Sequence, residues 1–265
     1  MTAATDAQPA VTGEGPAVAL FVTCLVDLFR PEVGFATLRL LEDSGCRVYV
    51  PRSQTCCGQP GYNNGDYEGA RAIARDVIRS FEAAEFVVVP SGSCAGMLIH
   101  HYPKLLEGIW RERAEALAER TWELTTFLSD VLPGRASAPV AGTLPAVAYH
   151  DGCAGLRELG VRDQPRRLLA EGGIAVRELE QAAVCCGFGG TFCAKMPAIS
   201  AKMADDKLRD AVKTGADTLV AGDLGCLLAL AGRASREGVA LSFRHVAEVL
   251  DGRLEAPPIG EGSRG

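Results

Sequence analysis

Cys56-Cys57-Gly58 recurs as Cys185-Cys186-Gly187, and each triplet has a cysteine 32 positions before its first member, Cys24 in one case and Cys153 in the other. A further cysteine follows the second member of each pair, Cys94 after 37 positions and Cys226 after 40. Spacing repeated in this way marks an internal duplication. The flanks repeat as well. Apolar runs Val18 to Val22 and Ala146 to Tyr149 lead into the first cysteine of each set, and Phe86 to Pro90 and Thr218 to Ala221 lead into the last. Between the copies lies PGRASAPVAGTLP, residues 133–145, whose prolines and small residues read as a linker. One domain is expected at 17–132 and a second at 146–250, with frayed ends.

Within each copy, short apolar runs alternate with helical patterns, which argues for β-α-β units and a parallel sheet. The fold class expected is α/β, as two tandem, duplicated, three-layer-like domains. The clearest helix follows the first triplet: Ala70, Ile73, Ala74, Val77, Ile78 and Phe81 recur at intervals of three and four and form one inward stripe. Its counterpart runs from about 198 to 213, with Ile199, Met203, Leu208, Ala211 and Val212 expected inward. Gly45, Gly172 and Gly215 stand where helix C-caps are expected. All three cysteine segments of a copy therefore follow strands. In a parallel sheet the carboxyl ends of strands share one edge, so cysteines far apart in the chain converge there.

Composition narrows the chemistry. In 265 residues, Lys plus Arg is 27 against 33 Asp plus Glu, a net charge of −6, so there is no basic excess to bind nucleic acid. With 48% hydrophobic and 23% charged residues the chain reads as globular rather than disordered. Residues 1–16 have neither a basic start nor an apolar core, and the apolar stretch from Leu219 to Ala231 is too short to span a bilayer. A cytoplasmic protein without a transmembrane segment is expected. Ten cysteines are too few for a disulfide scaffold but many for a reducing compartment, where they point to metal or redox chemistry.

Each copy gathers four thiols: Cys24, Cys56, Cys57 and Cys94, then Cys153, Cys185, Cys186 and Cys226. Four thiolates suit a tetrahedral zinc or an iron-sulfur cluster, both soft-ligand sites. The adjacent pair favours the cluster. Zinc hooks usually separate their cysteines by two to four residues, whereas neighbours on extended backbone aim their sulfurs apart and reach different irons. A disulfide within the pair is disfavoured, because consecutive Cα atoms lie about 3.8 Å apart, under the usual range of about 4.4 to 6.8 Å. The glycine after each pair lets peptide N–H groups approach sulfur. A zinc-stapled interaction module and thiol redox chemistry stay as alternatives.

Cys-x31-Cys-Cys-Gly with a later cysteine, occurring twice, resembles the cysteine-rich (CCG) domain of heterodisulfide reductase B-type subunits and of the iron-sulfur subunits of glycolate oxidase and anaerobic glycerol-3-phosphate dehydrogenase. More narrowly, Ser91-Gly-Ser-Cys-Ala-Gly-Met97, His100-His-Tyr-Pro103, Cys185-Cys-Gly-Phe-Gly-Gly-Thr-Phe192 and Gly222-Asp-Leu-Gly-Cys226 resemble the lactate utilization protein A family over nearly the whole chain. That resemblance implies an iron-sulfur electron-transfer subunit of a cytoplasmic system oxidising L-lactate to pyruvate, with a ferredoxin-type subunit and a third lactate-utilization subunit as partners. A catalytic, cluster-bearing subunit of a heterodisulfide-reductase-like or glycolate oxidase complex is the alternative. Heterodisulfide-reductase-type domains end in Cys-x2-Cys, and the first of those positions here is Ser91 or Asp223. A fifth thiolate is thus missing from each set, which leaves two four-thiolate [4Fe-4S] clusters as the expected cofactors. The chain also lacks the Cys-x2-Cys-x2-Cys-x3-Cys-Pro ferredoxin run that the glycolate oxidase and glycerol-phosphate subunits carry.

Most of the other residues have more than one reading. Ser91 and Asp223 are oxygen ligands, hydrogen-bond partners of a cluster, or plain loop caps. Cys193 is a spare ligand or resolving thiol, or simply packed; Cys46 reads as a small buried hydrophobe. His100 and His101 are proton carriers or docking contacts near the first set, or ordinary helix imidazoles. His150 and Asp151 stand just before Cys153 and would donate to cluster sulfur or exchange protons, or else are ordinary polar residues at a strand end. His245 reads as structural. No dinucleotide fingerprint is present: Gly187-Phe-Gly-Gly-Thr-Phe192 is not G-x-G-x-x-G. No lactate-binding base is assigned to this chain.

Overall fold

The structure is a computed structural model that describes residues 14–134, 144 and 146–261. Most of the expected linker, residues 135–143 and 145, lies outside the described residues. The first half builds strands β1 (Ala17–Leu20), β2 (Arg47–Tyr49), β3 (Phe86–Val89) and β4 (Thr121–Glu123), and the second builds β5 (Ala146–His150), β6 (Ala175–Arg177), β7 (Thr218–Ala221) and β8 (Ser242–His245). They form two four-stranded sheets, ordered β2-β1-β3-β4 and β6-β5-β7-β8, and every pairing is parallel. The chain is therefore α/β and duplicated, as its pattern implies. Val18, Ala19 and Leu20 of β1, and Val87, Val88 and Val89 of β3, are buried, because helices cover both faces of a parallel sheet.

The helix Tyr67–Phe81 is capped by Asp66, whose Oδ1 accepts from the Gly69 N–H at 2.9 Å. It buries Ala70, Ala74, Val77, Ile78 and Phe81, the stripe its spacing predicts except for Ile73, which is half-buried. The matching helix Pro197–Lys213 departs from expectation. Ser200, Ala204, Lys207, Leu208, Asp210 and Ala211 are buried, whereas Ile199 and Val212 are about half exposed, at 49% and 50%. Leu208 and Ala211 are inward as expected and Met203 is half-buried, but part of the inner face is polar because it meets the loop 180–182: Asp210 accepts the N–H groups of Glu180 and Gln181, and Lys207 donates to the Gln181 carbonyl. Polar groups that find such partners displace apolar ones from the interior. Gly172 is the C-cap of its helix, as expected, and left-handed turns follow the helices at Gly45, Gly173 and Gly215.

The halves are not separate beads. Helix Pro31–Asp43 packs against helix Val246–Asp251, and one apolar core runs from Val26, Leu41 and Phe127 to Val147, Leu168 and Val249. Ion pairs cross the same boundary: Arg30 to Glu248 at 2.6 Å and Arg39 to Asp251 at 2.6 Å. Among the described residues no helix is long and apolar enough to cross a membrane.

Candidate metal centre

In the order β2-β1-β3-β4 the chain reverses its direction of winding between β1 and β3, the point where open parallel sheets leave a crevice at their carboxyl edge. Cys24 follows β1 and Cys94 follows β3, so they flank that crevice; Cys153 after β5 and Cys226 after β7 do the same in the second sheet. These segments are helix starts rather than loops. Cys24 and Cys153 open the helices Cys24–Phe29 and Cys153–Glu158, and Cys94 and Cys226 lie in the first turns of Gly92–Gly96 and Leu224–Glu237. The two Cys-Cys-Gly segments come in from the β2 and β6 side as non-helical loop.

The sulfurs meet in the same sequence in both halves. Cys24 Sγ donates to Cys56 Sγ at 3.6 Å, and Cys57 Sγ donates to Cys94 Sγ at 3.3 Å, with Cys56 joined to Cys57 as well. In the second half Cys153 joins Cys185, Cys185 joins Cys186, and Cys186 joins Cys226. The glycines deliver what their positions imply. Gly58 and Gly187 have φ of 79° and 86°, and their N–H groups donate to Cys56 Sγ and Cys185 Sγ, each at 3.4 Å. A Cβ at Gly187 would lie 2.8 Å from the Ser200 carbonyl oxygen, so the loop fits this close to its helix only without a side chain.

Donated thiol and peptide hydrogens pull Cys56 down to about 3 and Cys185 down to about 2. Their donors move the other way: hydrogen bonding to Cys56 and then burial raise Cys24, and Cys57, Cys153 and Cys186 are raised for the same reasons. All eight cysteines carry free thiols, with Cys57, Cys94, Cys186 and Cys226 buried and the other four half-buried. The donor set fits a soft-metal core. Four sulfurs converge per half, each set mixes buried and half-exposed members, and N–H groups aim at sulfur. A pocket of about 880 Å³ between the helix Leu224–Glu237 and residues 239–243 and 259–261 contains no cysteine and no such donor set.

The outlying candidates separate clearly. Cys46 lies in the apolar core. Cys193 donates to the Gly190 carbonyl at 3.2 Å. His100 and His101 occupy a π-helical turn, Met97–His101, and donate to the Glu158 carbonyl and carboxylate, each at 2.9 Å, tying the first half to the second. Asp151 is held bidentately by Arg166. His245 caps the helix Val246–Asp251, its Nδ1 accepting from Ala247 N–H.

Ser91 and Asp223, the positions of the absent fifth cysteines, point at one another. Ser91 Oγ donates to Asp223 Oδ1 at 2.6 Å, Ser93 adds its hydroxyl at 2.7 Å and its N–H at 3.2 Å, and Ser91 Oγ accepts from Cys94 N–H. Close contact permits this: a Cβ on Gly92 would lie 2.7 Å from Gly155 Cα. The bridge therefore joins the helix starts bearing Cys94 and Cys226. Asp223→Ala is expected to lower stability by about 1–3 kcal/mol, since it strands these donors. Ser91→Ala should cost less, and the double variant less than the sum, in urea midpoints; an additive result would contradict the bridge.

His150 is fully buried, neither ring nitrogen has a hydrogen-bond partner, and its ligating atom lies within 4.8 Å of those of Cys186 and Cys226. Burial first, then the Lys207 ammonium, lowers its pKa to about 4, opposed by Cys185. Lys207, 2% exposed, is the residue sequence reasoning missed. Burial lowers its pKa, while Asp210, Cys186, Asp151 and Cys185 act in the opposite direction. Its signal was its place four residues before the inward Ala211, on the buried face of the helix.

Comparison with known proteins agrees with this duplication. The model of the cysteine-rich domain family, CCG, matches residues 18–99 and again 147–231. The lactate utilization protein A of Bacillus thuringiensis (strain Al Hakam) is 46% identical over 240 residues, covering 89% of this chain and 99% of its own. Bacillus cereus (strain AH187) has a lactate utilization protein A with the same identity and coverage, as does the lactate utilization protein A 2 of Bacillus anthracis (strain CDC 684 / NRRL 3495). With its two cysteine-rich domain matches and near full-length relatives, the chain belongs to the lactate utilization protein A family of CCG-domain proteins.

Proposed function

We propose that each half holds one [4Fe-4S] cluster, on Cys24, Cys56, Cys57 and Cys94 and on Cys153, Cys185, Cys186 and Cys226, and that the protein relays electrons in a cytoplasmic system oxidising L-lactate to pyruvate. The observation that carries this is the identical order of sulfur contacts in the two halves. When bound, such clusters supply one-electron exchange at potentials set by hydrogen bonds, net charge and burial. The chain's own residues supply those settings. Gly58 and Gly187 donate to sulfur, buried Cys57, Cys94, Cys186 and Cys226 keep water from one side, and Tyr102 fixes the first loop by donating to the Cys57 carbonyl at 2.8 Å.

The relatives' names place them in lactate utilization, and a ferredoxin-type subunit with a third subunit would be the electron partners. A reading in which Ser91 or Asp223 leaves an open, substrate-binding corner on iron draws no support from their mutual hydrogen bond. Anaerobically purified protein is expected to be brown and to contain about eight irons and eight acid-labile sulfides per chain, four of each for every quartet of thiolates. Colourless protein containing zinc and no sulfide would overturn the proposal in favour of a zinc-stapled module.

A further inference from the structure

The two cysteine sets are alike in their sulfurs and unlike in their walls. Counting back three residues from the first cysteine of each set, His150 in the second half stands where Phe21 stands in the first. Both are fully buried. The helices behind the Cys-Cys-Gly loops can be aligned through the glycines they touch. A Cβ on Gly58 would meet Ile73 and Ala70, and one on Gly187 would meet Met203 and Ser200. In that alignment Lys207 occupies the place of Val77, and these two are 2% and 0% exposed. The wall of the first set is thus Phe21 and Val77, and that of the second is His150 and Lys207.

The neighbours of these groups point the same way. Lys207 Nζ donates to the Gln181 carbonyl at 2.6 Å, which anchors it beside the loop leading to Cys185, and no salt bridge among the described residues neutralises it. Asp151 is bound to Arg166, and Asp210 accepts the N–H groups of Glu180 and Gln181. His150 has no protein partner for either nitrogen. An imidazole buried without a partner is costly, and one within 4.8 Å of two cysteine sulfurs has an evident recipient for its N–H. Four thiolates already provide one sulfur for each iron, which leaves the imidazole the role of hydrogen-bond donor to sulfur.

Resting on the two-cluster reading above, we infer that His150 and Lys207 make the second-half cluster the more easily reduced of the two, through N–H donation to its sulfur and an adjacent positive charge. Both effects stabilise the added electron, and the apolar wall of Phe21 and Val77 offers neither. Electrons shared between the halves therefore rest on the Cys153, Cys185, Cys186, Cys226 side. His150 and Lys207 are positioning and tuning residues rather than catalytic ones.

The test is a redox titration of the anaerobic, fully loaded chain followed by electron paramagnetic resonance. Two midpoints are expected, with the higher lost in a Cys186→Ser variant. His150→Phe should shift the higher one down by at least tenfold in the reduction equilibrium, about 59 mV for a one-electron couple, and leave the lower unmoved. Lys207→Val should shift it in the same direction, His150→Gln should restore part of the loss by returning an N–H donor, and Phe21→His should raise the lower midpoint. The last variant leaves the second half untouched, so it decides the matter if His150→Phe does not load. Loaded protein whose midpoints coincide, or ignore all these changes, overturns this inference alone. Protein that contains neither iron nor sulfide overturns the relay reading and this inference with it.

Discussion

Replacing Cys57 by serine is expected to remove the first-half cluster while the second stays loaded, halving iron and acid-labile sulfide together. Cys57 is 2% exposed, and its sulfur lies 3.3 Å from that of Cys94. A serine hydroxyl is a harder and far less acidic ligand than a thiol, so it does not replace a thiolate on a soft metal. Cys186→Ser, 1% exposed at the equivalent place, is expected to empty the other half, and the double variant to be colourless. Cys193→Ser serves as the control, because that thiol is directed to the Gly190 carbonyl, and its iron content should match the parent. Iron and sulfide assays on all four proteins decide the point. Full metal content in the double variant would remove the basis for assigning these thiols to metal.

Glu248→Leu is expected to be the most destabilising single change outside the cysteines, at about 3–5 kcal/mol, since it strips a buried ion pair of one partner and leaves the other charge uncompensated. Glu248 is 3% exposed and accepts from Arg30 Nε at 3.0 Å, from Arg30 Nη2 at 2.6 Å and from His245 N–H at 3.0 Å. Arg244 lies 3.8 Å from the same carboxylate, so the variant also leaves two guanidinium groups facing each other. At about 2–4 °C per kcal/mol for a chain of this size, the thermal midpoint should fall by about 10 °C. Asp251→Asn provides the comparison. Its partner Arg39 is more exposed, with a side-chain exposure of 29%, and water can take over the lost bonds, so about 1–2 kcal/mol is expected. A Glu248→Leu protein as stable as its parent would mean that the Arg30 link between the halves contributes nothing.

The duplication, the parallel sheets and the eight converging thiols were legible because each depends on local or covalent features. Apolar runs such as Val18 to Val22 alternating with helical patterns fit central strands, and parallel strands carry the segments at their carboxyl ends to one edge of the sheet. The short outer strands β4, Thr121–Glu123, and β8, Ser242–His245, were not legible. They contain three and four residues, mix charged with apolar types, and are strands only because β3 and β7 offer them free backbone groups. On the helix Pro197–Lys213 the inward Leu208 and Ala211 were legible, whereas the exposure of Ile199 and Val212 and the burial of Lys207 and Asp210 were not, for a related reason. Lys207 is inside because carbonyls at Gln181 and Ala182 accept from it, and hydrophobicity carries no record of them.

The amino-acid sequence alone determined that this protein repeats one α/β unit and places four thiols at the same edge of each copy, because spacing along a chain and the burial of strands obey short-range rules. Only the tertiary structure decided what stands around those thiols. Ser91 meets Asp223 across 132 residues, and His150 and Lys207 converge on Cys185 and Cys186 from a strand and a helix 57 positions apart. Such meetings depend on how helices rotate against sheets and how the two halves dock, and that geometry is set by packing of the whole chain at once.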